Sequence, residues 1–247
     1  MIPKIIHYCW FGGNPYPEKV EKCIDSWKKM CPDFTLKRWD ESNFDFDETI
    51  FTREAAAHEK WAFVSDYARL KALYNEGGFY LDTDIEIVKR FDDKILLSDH
   101  TILSLDGCGF ISVVTATPPG RKMFRDLMHI YRQMTFIKPD GTLNLEVNNT
   151  YTQNYLRPLG YCQKDEFQFV DGYIELWPNE YFNARNLVTG ELMRTENTYS
   201  IHWHFTLWAT RRMRIIRFLR YRIFLPIMGE KLYLKFVNAI KGDRASL

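Results

Sequence analysis

From Ala62 to Val88 the chain reads AFVSDYARLKALYNEGGFYLDTDIEIV, and this stretch constrains the fold more than any other. Helical spacing puts Ala62, Asp66, Arg69 and Leu73 on one face and Trp61, Val64, Ala68 and Ala72 on a second, apolar one. The helix is therefore expected to be buried on more than one side. Asn75, Gly77 and Gly78 supply the capping chemistry that lets the chain reverse. Phe79-Tyr80-Leu81 is short, apolar and aromatic, as a buried strand should be, and it ends on Asp82 and Asp84.

Carboxylates two residues apart on an extended strand share a side, with Cα atoms about 6.5 to 7 Å apart. One ion takes both only if the chain bends after Asp82. On a straight strand one aspartate would touch a hard cation directly, at about 2.0 to 2.1 Å for magnesium, and the other would act through water or on a ligand hydroxyl. A metal held by so few protein groups needs phosphate oxygens to complete its shell. An isolated Asp-x-Asp more often just ends a strand and solvates a turn. Here the Asp/Arg pair on the preceding helix, the double glycine and the aromatic strand form an ordered combination that favours a functional site.

The flanking sequence supplies further elements. Ile2 to Cys9 reads as a strand with Pro3 at its start, leading into Trp10-Phe11-Gly12-Gly13. Those glycines permit a tight turn and close approach to a ligand. The Trp10 indole, just beyond a first strand, is placed either to stack on a flat base or to pack in the core. His7, inside an apolar strand, reads most simply as a hydrogen-bonded core residue. Pro17 to Met30 is an amphipathic helix with Val20, Cys23, Ile24 and Trp27 as its buried stripe, and Phe34 to Trp39 is a second strand. Strand, helix and strand in this order predict a right-handed βαβ unit and a parallel sheet. Asp40 to Thr52 has no clear period and is read as an irregular loop.

Beyond the aspartates, Ile85 to Val88, Thr101 to Leu105 and Phe110 to Thr115 read as strands. Pro118-Pro119-Gly120 precedes a helix striped by Phe124, Leu127, Met128 and Tyr131. Leu143 to Leu156, with Asn148, Asn149, Thr150 and Gln153, is polar enough to line an acceptor pocket. Phe167 to Val170 and Tyr173 to Trp177 flank Asp171-Gly172, a hairpin signal.

The 247 residues are 46% hydrophobic and 26% charged, enough for one domain with a helical addition. No run of 18 or more apolar residues is present to span a bilayer, and MIPKIIHYCW lacks the features of a secretory signal. A cytoplasmic protein is expected. The five cysteines, Cys9, Cys23, Cys31, Cys108 and Cys162, are odd in number without a Cys-x-x-Cys pair and read as reduced core residues. Arg211, Arg212, Arg214, Arg217, Arg220 and Arg222 exceed the whole net charge of +1, so the basic character is local. On a helix they surround Ile215, Ile216, Leu219 and Ile223, which suits either an interfacial helix on an anionic membrane, over residues 211–223, or a packed surface helix. No nucleic-acid motif accompanies them.

Three ordered stretches, PKIIHYCWFGG, SDYARLKALYNEGGFYLDTDIE and TYSIHWHFTLW, resemble the motifs of the Asp-x-Asp sugar transferases of glycosyltransferase family 32 over roughly Ile2 to Trp208. That family includes yeast-type initiating mannosyltransferases and many bacterial capsule and surface-polysaccharide enzymes. The chain is similar, more distantly, to the glucosyltransferase domains of large clostridial toxins. The resemblance implies an α/β fold: a single Rossmann-like, GT-A-like nucleotide-sugar domain with a mixed, mostly parallel sheet over residues 1–208, and a basic helical extension over 209–247. It implies a retaining transferase that moves a hexose from a nucleotide sugar, such as UDP-galactose or UDP-glucose, to a glycan acceptor in capsule, exopolysaccharide or O-antigen synthesis. An acceptor on a polyprenyl lipid would place the work at the inner face of the cell membrane.

By the same resemblance Asp84 binds Mn2+ or Mg2+ directly, Asp82 contacts the metal shell or the ribose, and His202 is a third ligand. Asp66 and Arg69 hold donor hydroxyls. His7, Trp10, Gly12 and Tyr80 border the nucleotide, and Trp208 closes over the diphosphate. The chain departs from the family at Trp203, where a second histidine is usual, and at Leu207, where a serine is usual; His204 has no counterpart. Two other readings stay open: a metal-dependent phosphohydrolase with an aspartate nucleophile, although Glu86 stands where such enzymes carry threonine, and a catalytically silent nucleotide-binding protein.

Overall fold

The computed structural model describes residues 1–186, 189–205 and 229. Trp208, Leu207 and the arginine-rich segment lie outside the described residues. The elements run β1 (Ile5–Cys9), α1 (Glu18–Met30), β2 (Thr35–Trp39), α2 (Ile50–Ala57), α3 (Trp61–Glu76), β3 (Gly78–Tyr80), β4 (Ile85–Ile87), α4 (Asp93–Leu96), β5 (Thr101–Leu105), β6 (Ile111–Thr117), α5 (Lys122–Gln133), α6 (Asn148–Leu156), β7 (Gln168–Val170), β8 (Ile174–Trp177), α7 (Asn179–Phe182) and β9 (Ser200–His202).

Seven strands form one sheet in the order β2-β1-β3-β6-β5-β8-β7, and β4 pairs with β9 in a separate ribbon. β2, β1, β3, β5 and β8 point one way and β6 and β7 reverse, which makes the sheet mixed and mostly parallel, as expected. Side chains alternate between its faces. Ile6, Tyr8, Phe79 and Ile102 join the core under α1, whereas Cys9, Tyr80, Leu103 and Leu105 join the core under α3 and α5.

The expected stripes are the buried ones: Val20, Cys23, Ile24 and Trp27 in α1 and Phe124, Leu127, Met128 and Tyr131 in α5. α1 carries Glu18 and Glu21 in its first turn and Lys28 and Lys29 in its last, complementing the helix dipole. The passage from α3 to β3 runs through Gly77 at φ 65° and Gly78 at φ 89°. A Cβ on Gly78 would stand 2.6 Å from the Ile5 carbonyl oxygen, so only glycine fits beside β1. Asp171 and Gly172, at φ 52° and 70°, make the predicted turn between β7 and β8.

Two expectations are corrected. The stretch read as a loop to Thr52 contains the start of α2, whose N-cap Thr49 and Thr52 satisfy each other's backbone amides as a capping box. Cys9, Cys23 and Cys31 are buried, but Cys108 and Cys162 are exposed rather than in the core. No helix among the described residues is long and apolar enough to cross a membrane.

Candidate functional site

From β1 the chain passes through α1 to β2 on one side, while β3 lies on the other. A crevice opens outside the carboxyl ends of strands at such a switch point. Here it is a cleft of about 460 Å³. Trp10 follows β1, Tyr80 and Asp82 come from the end of β3, and Trp61, Ser65 and Arg69 line it from one face of α3.

Asp82 and Asp84 converge because the chain does bend. After the Leu81 amide donates to the His7 carbonyl at 3.0 Å, the Ile85 amide turns back to the Asp82 carbonyl at 3.0 Å. β4 then pairs with β9 in the register Ile85 to His202, which carries the imidazole to the same corner. One ligand atom each of Asp82, Asp84 and His202 lies within 4.8 Å of the others. α1 braces this corner from behind: the Trp27 indole donates to the Ile85 carbonyl at 2.7 Å, and the Ser26 hydroxyl accepts from the Ile87 amide at 2.9 Å.

Asp84 is the fixed member. One carboxylate oxygen stands 3.2 Å from His202 Nε2 and the other accepts from the Phe205 amide at 2.9 Å. Burial alone would raise its carboxyl, but the adjoining imidazole and amide hold it below the usual carboxylate range. His202 Nδ1 is buried with no hydrogen-bond partner among the described residues. Two carboxylates and an imidazole suit a divalent cation of the manganese type. Trp203, a departure in the motif, has its own use: its indole donates to Glu86 at 2.8 Å and its amide to the Asp84 carbonyl at 2.9 Å.

Arg69 ties the cleft to this corner. Its guanidinium lies 3.1 Å from Asp66 Oδ1 and 3.5 Å from Asp82 Oδ1, and sits over the Tyr80 ring at 4.6 Å. Burial works against its charge, but Tyr80, Asp82 and Asp66 more than offset that and keep it cationic. Asp66 accepts from the Asn148 amide at 3.3 Å with its other oxygen. Its burial pushes the carboxyl up to about 7, with Arg69 pulling down and Asp82 pushing up.

Not every residue assigned to the donor reaches the cleft. His7 is fully buried, accepts from the Trp39 indole at 3.1 Å and bonds the Gly77 carbonyl at 2.9 Å. With both ring nitrogens spent inside the sheet, it is a core residue and not a donor contact. The Gly12 amide donates to Glu41, and a Cβ there would meet Trp61 Nε1 at 2.6 Å. Its glycine thus seats Trp61 against the rim. Leu73, from the same helical face as Arg69, is in the core.

Trp10 is half-buried, its indole nitrogen tied to the Asn14 carbonyl at 2.6 Å and its ring 4.9 Å from that of Tyr16. Trp61, expected on the apolar face apart from Arg69, and Ser65, which the sequence reading does not single out, precede Arg69 at four-residue steps and share its face. That spacing is the signal by which they could have been found. Thr83 also lines the cleft, with nothing in the sequence to single it out.

Residues 17–102 match the family model described as a glycosyltransferase sugar-binding region containing the DXD motif. Among characterised and catalogued relatives, the chain is 27% identical over 130 residues to the Subversion of eukaryotic traffic protein A of Legionella pneumophila, covering 42% of this chain and 20% of that one. It is 33% identical over 99 residues to Inositol phosphoceramide mannosyltransferase 3 of Schizosaccharomyces pombe, covering 37% and 26%. The chain thus spans a quarter or less of the first of these proteins and about a quarter of the second. An uncharacterized glycosyltransferase of Acanthamoeba polyphaga mimivirus is 24% identical over 220 residues, covering 85% of this chain and 84% of its own. In fold, the chain is similar to the crystal structure of a glycosyltransferase involved in the glycosylation of the major capsid of PBCV-1. The TM-score is 0.50 at 12% identity, with 87% of this chain and 98% of that one covered.

Proposed function

We propose that this protein transfers a hexose from a nucleotide sugar to a glycan acceptor, with a divalent cation held by Asp82, Asp84 and His202. The observation that carries this reading is the convergence of those three side chains at the end of a cleft bordered by two indoles and by Arg69, whose guanidinium pairs with the buried Asp66. The match of residues 17–102 to a sugar-binding region supports it. When bound, the cation would act as a Lewis acid for the charge that grows on the leaving diphosphate.

The chain's own residues supply the rest. Trp10 offers a face for the base, and Asp66 and Arg69 offer an acceptor and donors for sugar hydroxyls. Arg69 also places a fixed positive charge against Asp82, which lowers the nucleophilicity a phosphohydrolase would need there. In this reading the donor is UDP-linked galactose or glucose and the anomeric configuration is retained, with the leaving phosphate taking the acceptor proton on the same face. The acceptor belongs to surface-polysaccharide assembly on a polyprenyl carrier, and residues 211–223 hold the protein at an anionic inner leaflet.

A panel of nucleotide sugars with manganese, scored for released nucleotide and for free or transferred sugar, tests the proposal. Release from one sugar nucleotide that stops on chelation supports it. Phosphate release from nucleotides lacking a sugar points to the phosphohydrolase, and no release from any donor points to a silent binding protein.

A further inference from the structure

A second concavity shares no lining residue with the donor cleft among the described residues. It is a groove of about 380 Å³ between the β5–β6 turn and α6, with Asn149 half-buried and Gln153 buried at its base. Asn149 and Gln153, one helical turn apart, and Asn154 present amides to it, each with donors and an acceptor. Phe110 and Val147, 39% and 53% exposed, give it apolar walls. Carboxamides beside an exposed ring match the mixed surface of a sugar, which has hydroxyls around its edge and C–H groups on its faces.

Two observations connect this groove to the chemistry. A cavity of about 20 Å³, the room of about one water molecule, lies between them. It is lined by Arg69, which also borders the donor cleft, and by Ile111 and Asn149, which also border the groove. The Asn148 amide at the start of α6 donates to Asp66, so the helix that forms the groove is anchored on the carboxylate that pairs with Arg69 of the cleft. At the groove's other wall Asp106 accepts from the Cys108 and Phe110 amides at 2.9 Å, shaping the turn that carries the Phe110 ring.

We infer that this groove binds the sugar acceptor, an uncharged mono- or oligosaccharide, with Phe110 under a pyranose face and Asn149 and Gln153 on its hydroxyls. This rests on the transferase reading and assigns its second substrate a place. Among the described residues the groove carries one cation, Arg157, which donates to the Asn154 side-chain oxygen at 3.0 Å, and one carboxylate, Asp106, a balance in keeping with an uncharged ligand.

The test uses the full chain with UDP and manganese and a panel of methyl α- and β-glycosides of glucose, galactose, mannose and N-acetylglucosamine, with their β-linked disaccharides. Saturation-transfer NMR reads binding without turnover. At least one glycoside should bind the unaltered protein, and Phe110→Ala and Gln153→Ala should each weaken it fivefold or more. Phe110 is exposed whereas Gln153 is 7% exposed, so each variant is first required to keep the circular dichroism spectrum and melting temperature of the unaltered protein. Equal binding by the variants and the unaltered protein, or binding of no glycoside on the panel, overturns the assignment. Failure of the transferase reading looks different: no nucleotide is released from any donor, whatever the glycosides do.

Discussion

Asp66 shows how much one residue's surroundings decide. Its spacing from Arg69 was legible, because i and i+3 on a helix share a face; its contact with Asn148, 82 residues on, was not. Its raised carboxyl gives two expectations. In the folded protein without ligand the group keeps its proton between its unfolded value near 4 and about 7. The stability this contributes is complete below about pH 4 and is lost as pH rises through about 7. Melting temperatures from pH 5 to 8 should therefore fall more steeply for the native protein than for Asp66→Asn; parallel curves contradict the assignment. Donor affinity should move the other way, rising toward pH 8 as the carboxylate forms, and calorimetry at several pH values with Asp66→Asn as control checks it. Trp10→Ala should weaken nucleotide binding by about 1 to 3 kcal/mol if the indole stacks on a base as aromatic platforms do in nucleic-acid binders. An unchanged dissociation constant would return Trp10 to packing on Tyr16.

At the scale of elements, the sequence announced those with one clear period and hid those fixed by distant contacts. α1 and α5 were readable because their apolar stripes recur at helical spacing. α2 was hidden because its cap is Thr49 with Thr52 rather than the usual acid or amide, following an acidic, aromatic stretch without pattern. Thr49→Ala should lower stability by about 0.5 to 2 kcal/mol in denaturant titration, the ordinary cost of a lost N-cap. His7 was given to the donor by its place in a motif, yet it spends both nitrogens inside the sheet. No local signal reports that Trp39 and Gly77 are its partners. The bend after Asp82 was left open by the sequence because it depends on β4 leaving the main sheet to pair with β9, more than 110 residues later. That pairing, braced by Trp27, turns two aspartates into one site.

For the whole molecule, a βαβ unit in a parallel sheet followed from strand, helix and strand in order and the reversal of β7 from the Asp171-Gly172 hairpin signal, whereas the reversal of β6 was not legible. Which strands neighbour one another is set by packing across the sheet rather than by any one stretch. The same topology joins residues 9 to 84 into the cleft and brings His202 to its end. The central claim is that this end is a metal centre serving a nucleotide. Manganese binding in the presence of UDP, followed by electron paramagnetic resonance on the folded protein and on Asp84→Ala, tests it most directly. One tightly held manganese per chain, lost or weakened at least tenfold in a variant with an unchanged circular dichroism spectrum, is the predicted result. Equal manganese binding by the two proteins would contradict it.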